Sequence, residues 1–273
     1  MKKPGLRSAA AGSFFVVLLA GCASIEEKLI KPASQHTAVV ALIDFSGSVK
    51  PETVRFYADT IASKVLMELT ARDRLTLLPI DSRSESRADP FFAVDFARTN
   101  FSDPHDGVAH KEQKERARLD ALIAEESKNL KEAISAEASA RSGFKGGTDL
   151  IGALHSAVNN FPEGDAYRRV LLIFSDMIHE GRDLDLRTLR ADDVSAQAAI
   201  KQLEADKRIP NLNGVVVAVI GAGERDTGAA SNPAYFRAVR TFWMEFFARA
   251  GATLAERDYG YRTQDVIPAL LHK

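Results

Sequence analysis

Four mostly apolar runs recur along the chain, at 38–43, 75–78, 170–174 and 214–220, rich in Val, Ile and Leu. None alternates cleanly with polar residues. Each therefore suits a strand covered on both faces, as in a parallel sheet. Phe92, Val94 and Phe96 do alternate with Ala93, Asp95 and Ala97, the pattern of a half-buried edge strand. Between the runs the apolar spacing changes to that of a helix. Val54, Ala58, Ile61, Val65, Leu66 and Leu69 mark one helix, entered through Pro51-Glu52, and Leu150, Leu154 and Val158 mark another. Further helices are expected over 191–207, over 233–250 with Phe236, Val239, Phe242, Trp243 and Phe246 inward, and over 263–271. Residues 252–254 would add a last strand. Strands alternating with helices predict an α/β fold: a doubly wound, mostly parallel sheet with helices on both faces and one antiparallel edge strand.

One stretch departs from that rhythm. Residues 105–141 are highly charged, and from about 110 to 140 only Leu119, Leu122, Ile123, Leu130 and Ile134 form an apolar stripe. This predicts a long, mostly exposed helical insertion with one narrow face on the domain. Its polar face suits solvent, and a partner-docking arm is the sharper alternative.

The first residues carry an address. Lys2, Lys3 and Arg7 precede a short apolar core centred on residues 14–19, the pattern of a secretory signal. Leu19-Ala20-Gly21-Cys22 closes it and resembles the lipobox of bacterial lipoproteins, which implies a signal peptide over 1–21 and a lipid on Cys22. Cys22 is the chain's single cysteine, so no intramolecular disulfide is available, and acylation accounts for it better than a spare thiol. Residues 22–36 would be a tether and 37–273 the domain. Ala23-Ser24 lacks an Asp at the second position, which resembles outer-membrane sorting, facing the periplasm, in a Gram-negative host. Removing residues 1–21, with three basic and no acidic residues, takes the formal charge from −1 to −4. A mildly acidic chain without a basic block argues against nucleic acid as a partner.

The chemistry concentrates where the first apolar run ends. Asp44-Phe45-Ser46-Gly47-Ser48 sets a carboxylate and two hydroxyls at alternate positions after that strand. In an open parallel sheet, ligands gather at this carboxyl-terminal rim. Hard oxygen donors on a tight loop suit a hard divalent cation, above all Mg2+, with Mn2+ or Ca2+ as alternatives. Thr148 follows two glycines and is placed to cap the next helix, and Asp176 ends another buried strand, so both belong at the same rim.

Asp44, Ser46, Ser48, Thr148 and Asp176, in that order, resemble the metal-ion-dependent adhesion site of the von Willebrand factor type A (VWA) domain. The resemblance spans about 37–271, and the charged insertion is its departure. It implies that Ser46, Ser48 and Thr148 approach the metal directly, while Asp44 and Asp176 hold its waters. It also implies that an acidic residue of a protein partner completes the shell.

Other constellations are weaker. A hydrolase would pair Ser46 or Ser175 with His155 or His179, but no Gly-x-Ser-x-Gly elbow is present. His179 reads as a solvated loop residue. His105 and His110 do not share a helix face, and no cysteine supports zinc. Gly221-Ala222-Gly223 reads as a turn, and Asp183, Asp185, Asp192 and Asp193 as a polar loop and helix start. The expectation is a lipid-anchored envelope protein, not an enzyme, that binds a protein partner through a divalent metal. A metal-assisted envelope hydrolase, or a structural component with a fold-stabilising metal, is the alternative.

Overall fold

The described residues of the computed structural model are 36–47, 49–84, 89–96, 108–141, 146–223 and 232–272. The signal peptide, Cys22 and the tether up to residue 35 lie outside them, as do Ser48, His105 and the start of the predicted insertion.

Among the described residues six strands form one sheet: β1 (His36–Asp44), β2 (Arg74–Ile80), β3 (Phe92–Asp95), β4 (Tyr167–Phe174), β5 (Val215–Ile220) and β6 (Tyr259–Gly260). Their order is β3-β2-β1-β4-β5-β6, and every neighbouring pair is parallel except β2 with β3. This is the predicted doubly wound sheet with an antiparallel edge. β1 lies between β2 and β4 and is buried on both faces, which explains its unbroken apolar run.

Among the described residues six α-helices cover the sheet: α1 (Pro51–Thr60), α2 (Val108–Arg141), α3 (Leu150–Asn160), α4 (Asp193–Ala205), α5 (Pro233–Arg249) and α6 (Ile267–Leu271). Val40 and Leu42 of β1 face the core filled from α3, α4 and α5. Val39, Ala41 and Ile43 face the other core, filled from α1, α2 and α6. Each such buried Val, Leu or Ile side chain contributes about 1.5–3 kcal/mol of transfer free energy.

Several elements differ from expectation in detail. The predicted first helix continues past α1 as a π-helical turn at Ile61–Val65 and a 3-10 turn at Leu66–Glu68. Residues 252–254 form only an isolated bridge, Thr253 to Val216, and the last strand is the two-residue β6. Too few backbone groups pair there to make a ladder. Thr148 does not cap α3. Asp149 does, its carboxylate accepting from the Gly152 amide at 2.9 Å. Asp192 caps α4 through the Ser195 amide, as its position suggested. From Val108 onward the charged segment is one long helix, α2, with Ile123, Leu130 and Ile134 buried along its inner stripe.

Candidate metal site at the strand rim

Sheet register sets the site. Asp44 pairs with Ile80, Ile43 with Phe174, and Phe174 with Ile220, so β1, β2, β4 and β5 end at one level. The residue after Phe174 is therefore beside Asp44. There Ser175 donates its hydroxyl to Asp44 Oδ2 at 2.7 Å. Asp44 Oδ1 accepts from the Ser46 amide two residues on, at 2.8 Å, which folds the loop back over the strand end. The Ser46 hydroxyl bonds the same carboxylate.

Asp44 is fully buried. Burial pushes its carboxyl above the usual carboxylate range. The Ser175 and Ser46 hydroxyls and the Ser46 amide pull it back, and the negative charge of Glu180 pushes it up again. No Lys, Arg or His among the described residues pairs with it.

Asp176 is also buried. Its Oδ1 accepts from the Ile178 amide at 2.8 Å, and its carbonyl accepts from the Gly223 amide at 3.2 Å. Between them stands Met177, buried and in the left-handed region at φ +65°.

Thr148 arrives from the α2–α3 connection. The Asp149 amide donates to the Asp81 carbonyl, just past β2, at 3.0 Å. The Thr148 carbonyl accepts from the Glu180 amide, past β4, at 2.8 Å. The loop thus bridges the two strands that flank β1 and crosses the rim where Asp44 sits. The paired glycines make the crossing possible. A Cβ on Gly147 would stand 2.5 Å from the Glu180 carbonyl oxygen, and one on Gly146 would stand 2.3 Å from the Ser82 hydroxyl.

His179 is not the solvated loop residue expected from its polar surroundings. It is 1% exposed, and Nδ1 accepts from the Leu150 amide at 3.1 Å. Burial lowers its pKa to about 4, so the ring is neutral near pH 7 and ties the start of α3 to the Asp176 loop. The pairings required for a serine nucleophile are not made. Ser175 bonds Asp44, His155 Nε2 contacts the Arg208 carbonyl at 3.1 Å, and His179 meets Leu150.

The structure therefore brings Asp44, Ser46, Thr148 and Asp176 to one rim; Ser48 lies outside the described residues. Sequence reasoning missed the roles of Ser175, Met177 and His179. The position of Ser175 next to Asp44 follows from the β1–β4 register, which one chain's pattern does not specify.

The donors fit a hard cation. Among the described residues no three His, Cys, Asp or Glu side chains gather in a metal-binding cluster. The rim offers two carboxylates together with hydroxyls, all hard oxygens. A buried carboxylate without a counter-charge is costly, and a bound divalent cation would offset that cost.

No family model matches the chain, and no curated protein matches it. Among solved structures it is similar to the manganese-loaded TRAP protein of Plasmodium vivax. That alignment has 13% identity, covers 87% of this chain and 72% of that chain, and has a TM-score of 0.38. Likeness at this level transfers nothing about the site.

Proposed function

We propose that this protein holds a divalent cation, Mg2+ in the first place, with Asp44, Ser46, Ser48, Thr148 and Asp176. Through that cation it binds an acidic residue of a protein partner. It would do so at a bacterial envelope, anchored by lipid on Cys22. The observation that carries this reading is the Asp44 carboxylate, buried at the strand rim and hydrogen-bonded among the described residues to Ser175 and Ser46, with the Thr148 loop tied to Asp81 and Glu180 past the two flanking strands. Bound there, the cation supplies a positive charge with exchangeable water positions.

The chain's own residues do the rest. Ser175 and Ser46 orient the Asp44 carboxylate. The Ile178 amide orients Asp176. The Glu180 and His179 contacts hold the Thr148 loop against the rim. These bonds fix the oxygens before any cation arrives, which lowers the ordering cost of binding.

Calorimetric titration with Mg2+ and Mn2+ tests the site, and partner capture from cross-linked envelopes tests its use. Wild type should take up one cation. Thr148→Val should weaken uptake by about 10- to 100-fold, the usual scale for lost metal-site groups. Chelation with EDTA should abolish partner capture. Capture that proceeds equally in EDTA overturns the reading.

A further inference from the structure

We propose that Trp243 is a positioning residue for this site, acting through Met177 on the two carboxylates. The inference rests on the metal-binding reading above and adds a residue of α5 to it.

Met177 sits between Asp176 and Ile178 with φ +65°, a conformation that a side-chain-bearing residue adopts only when its surroundings hold it there. Both of its backbone polar groups are held. Its amide donates to the Ser175 hydroxyl at 3.0 Å. Its carbonyl accepts from Trp243 Nε1–H at 2.8 Å. Trp243 is the chain's single tryptophan, fully buried on α5. It is locked edge-on against Phe242, with ring centroids 5.0 Å apart, and against Phe246 at 5.2 Å. A rigid aromatic cluster thus extends one donor to the strained residue.

The consequence runs in both directions along the loop. The Ser175 hydroxyl that accepts from Met177 is the one that donates to Asp44 Oδ2. The Asp176 carboxylate takes its direction from the Ile178 amide, immediately past the left-handed turn. If Met177 relaxed to a right-handed or extended conformation, the Ser175 bond and the Ile178 bond would both lose their geometry. Trp243 therefore has a role beyond packing: its ring nitrogen holds the turn whose bonds orient the Asp44 and Asp176 carboxylates.

The test separates this role from core packing. Mn2+ affinity by calorimetry and stability by urea unfolding are measured for wild type, Trp243→Phe, Phe246→Leu, Met177→Gly and the Trp243→Phe/Met177→Gly double variant. Phe246 packs on Trp243 without bonding Met177, so its variant controls for lost packing. Trp243→Phe should weaken Mn2+ binding about 10-fold or more, as lost supporting bonds at metal sites do. Phe246→Leu should leave affinity within about twofold despite lower stability. Glycine adopts φ +65° without strain, so Met177→Gly in the Trp243→Phe background should restore Mn2+ affinity without restoring core stability. Equal affinity losses in Trp243→Phe and Phe246→Leu, or no recovery in the double variant, would overturn the positioning role alone. A wild type that takes up no Mn2+ would overturn the metal-binding reading itself, and the positioning role with it.

Discussion

Asp44 ends β1 and Asp176 follows two residues after the end of β4, whereas Thr148 is borne on the connection between two helices, and the two flanks of the site are secured by different physics. On the strand flank, β1 and β4 pair in register from His36–Tyr167 to Ile43–Phe174, and the Ser175–Asp44 bond follows from that register. Any chain that forms this sheet sets Ser175 beside Asp44 and starts the Asp176 loop at the same level. The loop flank has no such guarantee. Thr148 is held by a few buried polar contacts: the Asp81 carbonyl on one side, Glu180 and His179 on the other. Asp81 in turn is gripped by Arg141, the last residue of the long charged helix. The two ends of α2 therefore differ in kind. Its last residue, Arg141, is buried and braces the site, while residues 116–118 nearer its start are exposed.

The sharpest way to break this asymmetry is Arg141→Met. Arg141 is 6% exposed, ion-paired to Asp81, and bonded through Nε to Glu137 at 2.6 Å. Removing one partner of a buried pair leaves the other charge uncompensated, and the cost is about 3–5 kcal/mol. The urea midpoint should fall accordingly. Adding Asp81→Asn should recover part of the loss, because the stranded carboxylate is then gone. A single variant within about 1 kcal/mol of wild type would mean that the loop flank does not depend on the helical insertion.

Acid should loosen the same flank next. His179 is neutral in the folded chain with a pKa of about 4, against 6.5 when unfolded. Between those values the unfolded chain binds a proton that the folded chain does not. The contribution of His179 is therefore whole above about pH 6.5, falls as pH drops toward 4, and is flat below. At about 1.4 kcal/mol per pKa unit it amounts to roughly 3 kcal/mol. In His179→Asn the amide oxygen can replace Nδ1 as acceptor for Leu150 without titrating. Urea unfolding in EDTA at pH 7 and pH 4.5 should show a steeper loss for wild type than for this variant. Parallel losses would remove His179 as the link between the flanks.

The same contrast explains what one sequence could reveal. The runs at 38–43, 170–174 and 214–220 were legible because double-sided burial demands unbroken apolar residues, and they gave the sheet, its parallel sense and the rim. Asp44, Thr148 and Asp176 were legible because each adjoins a strand end or a helix start. The brace was not. Arg141 looks like one more charge on a solvated helix, and His179 like one more polar loop residue, until their partners 60 and 29 positions away are known. The two-residue β6 was equally hidden, since a strand that short has no periodicity to detect.

The smallest effect belongs to the exposed body of α2, and it sharpens the comparison because it should be nearly nothing. Lys128 and Glu132 stand 3.9 Å apart at 77% and 66% side-chain exposure, a turn apart on the outer face. Water screens such a pair, and Lys preceding Glu is the weaker orientation against the helix dipole. Lys128→Ala should therefore shift stability by no more than about 0.5 kcal/mol and leave Mn2+ affinity unchanged. Partner capture supplies the further contrast. If capture collapses in Lys128→Ala while stability and affinity hold, the outer face of α2 is itself a docking surface, and the helix braces the site at one end while meeting the partner along its length.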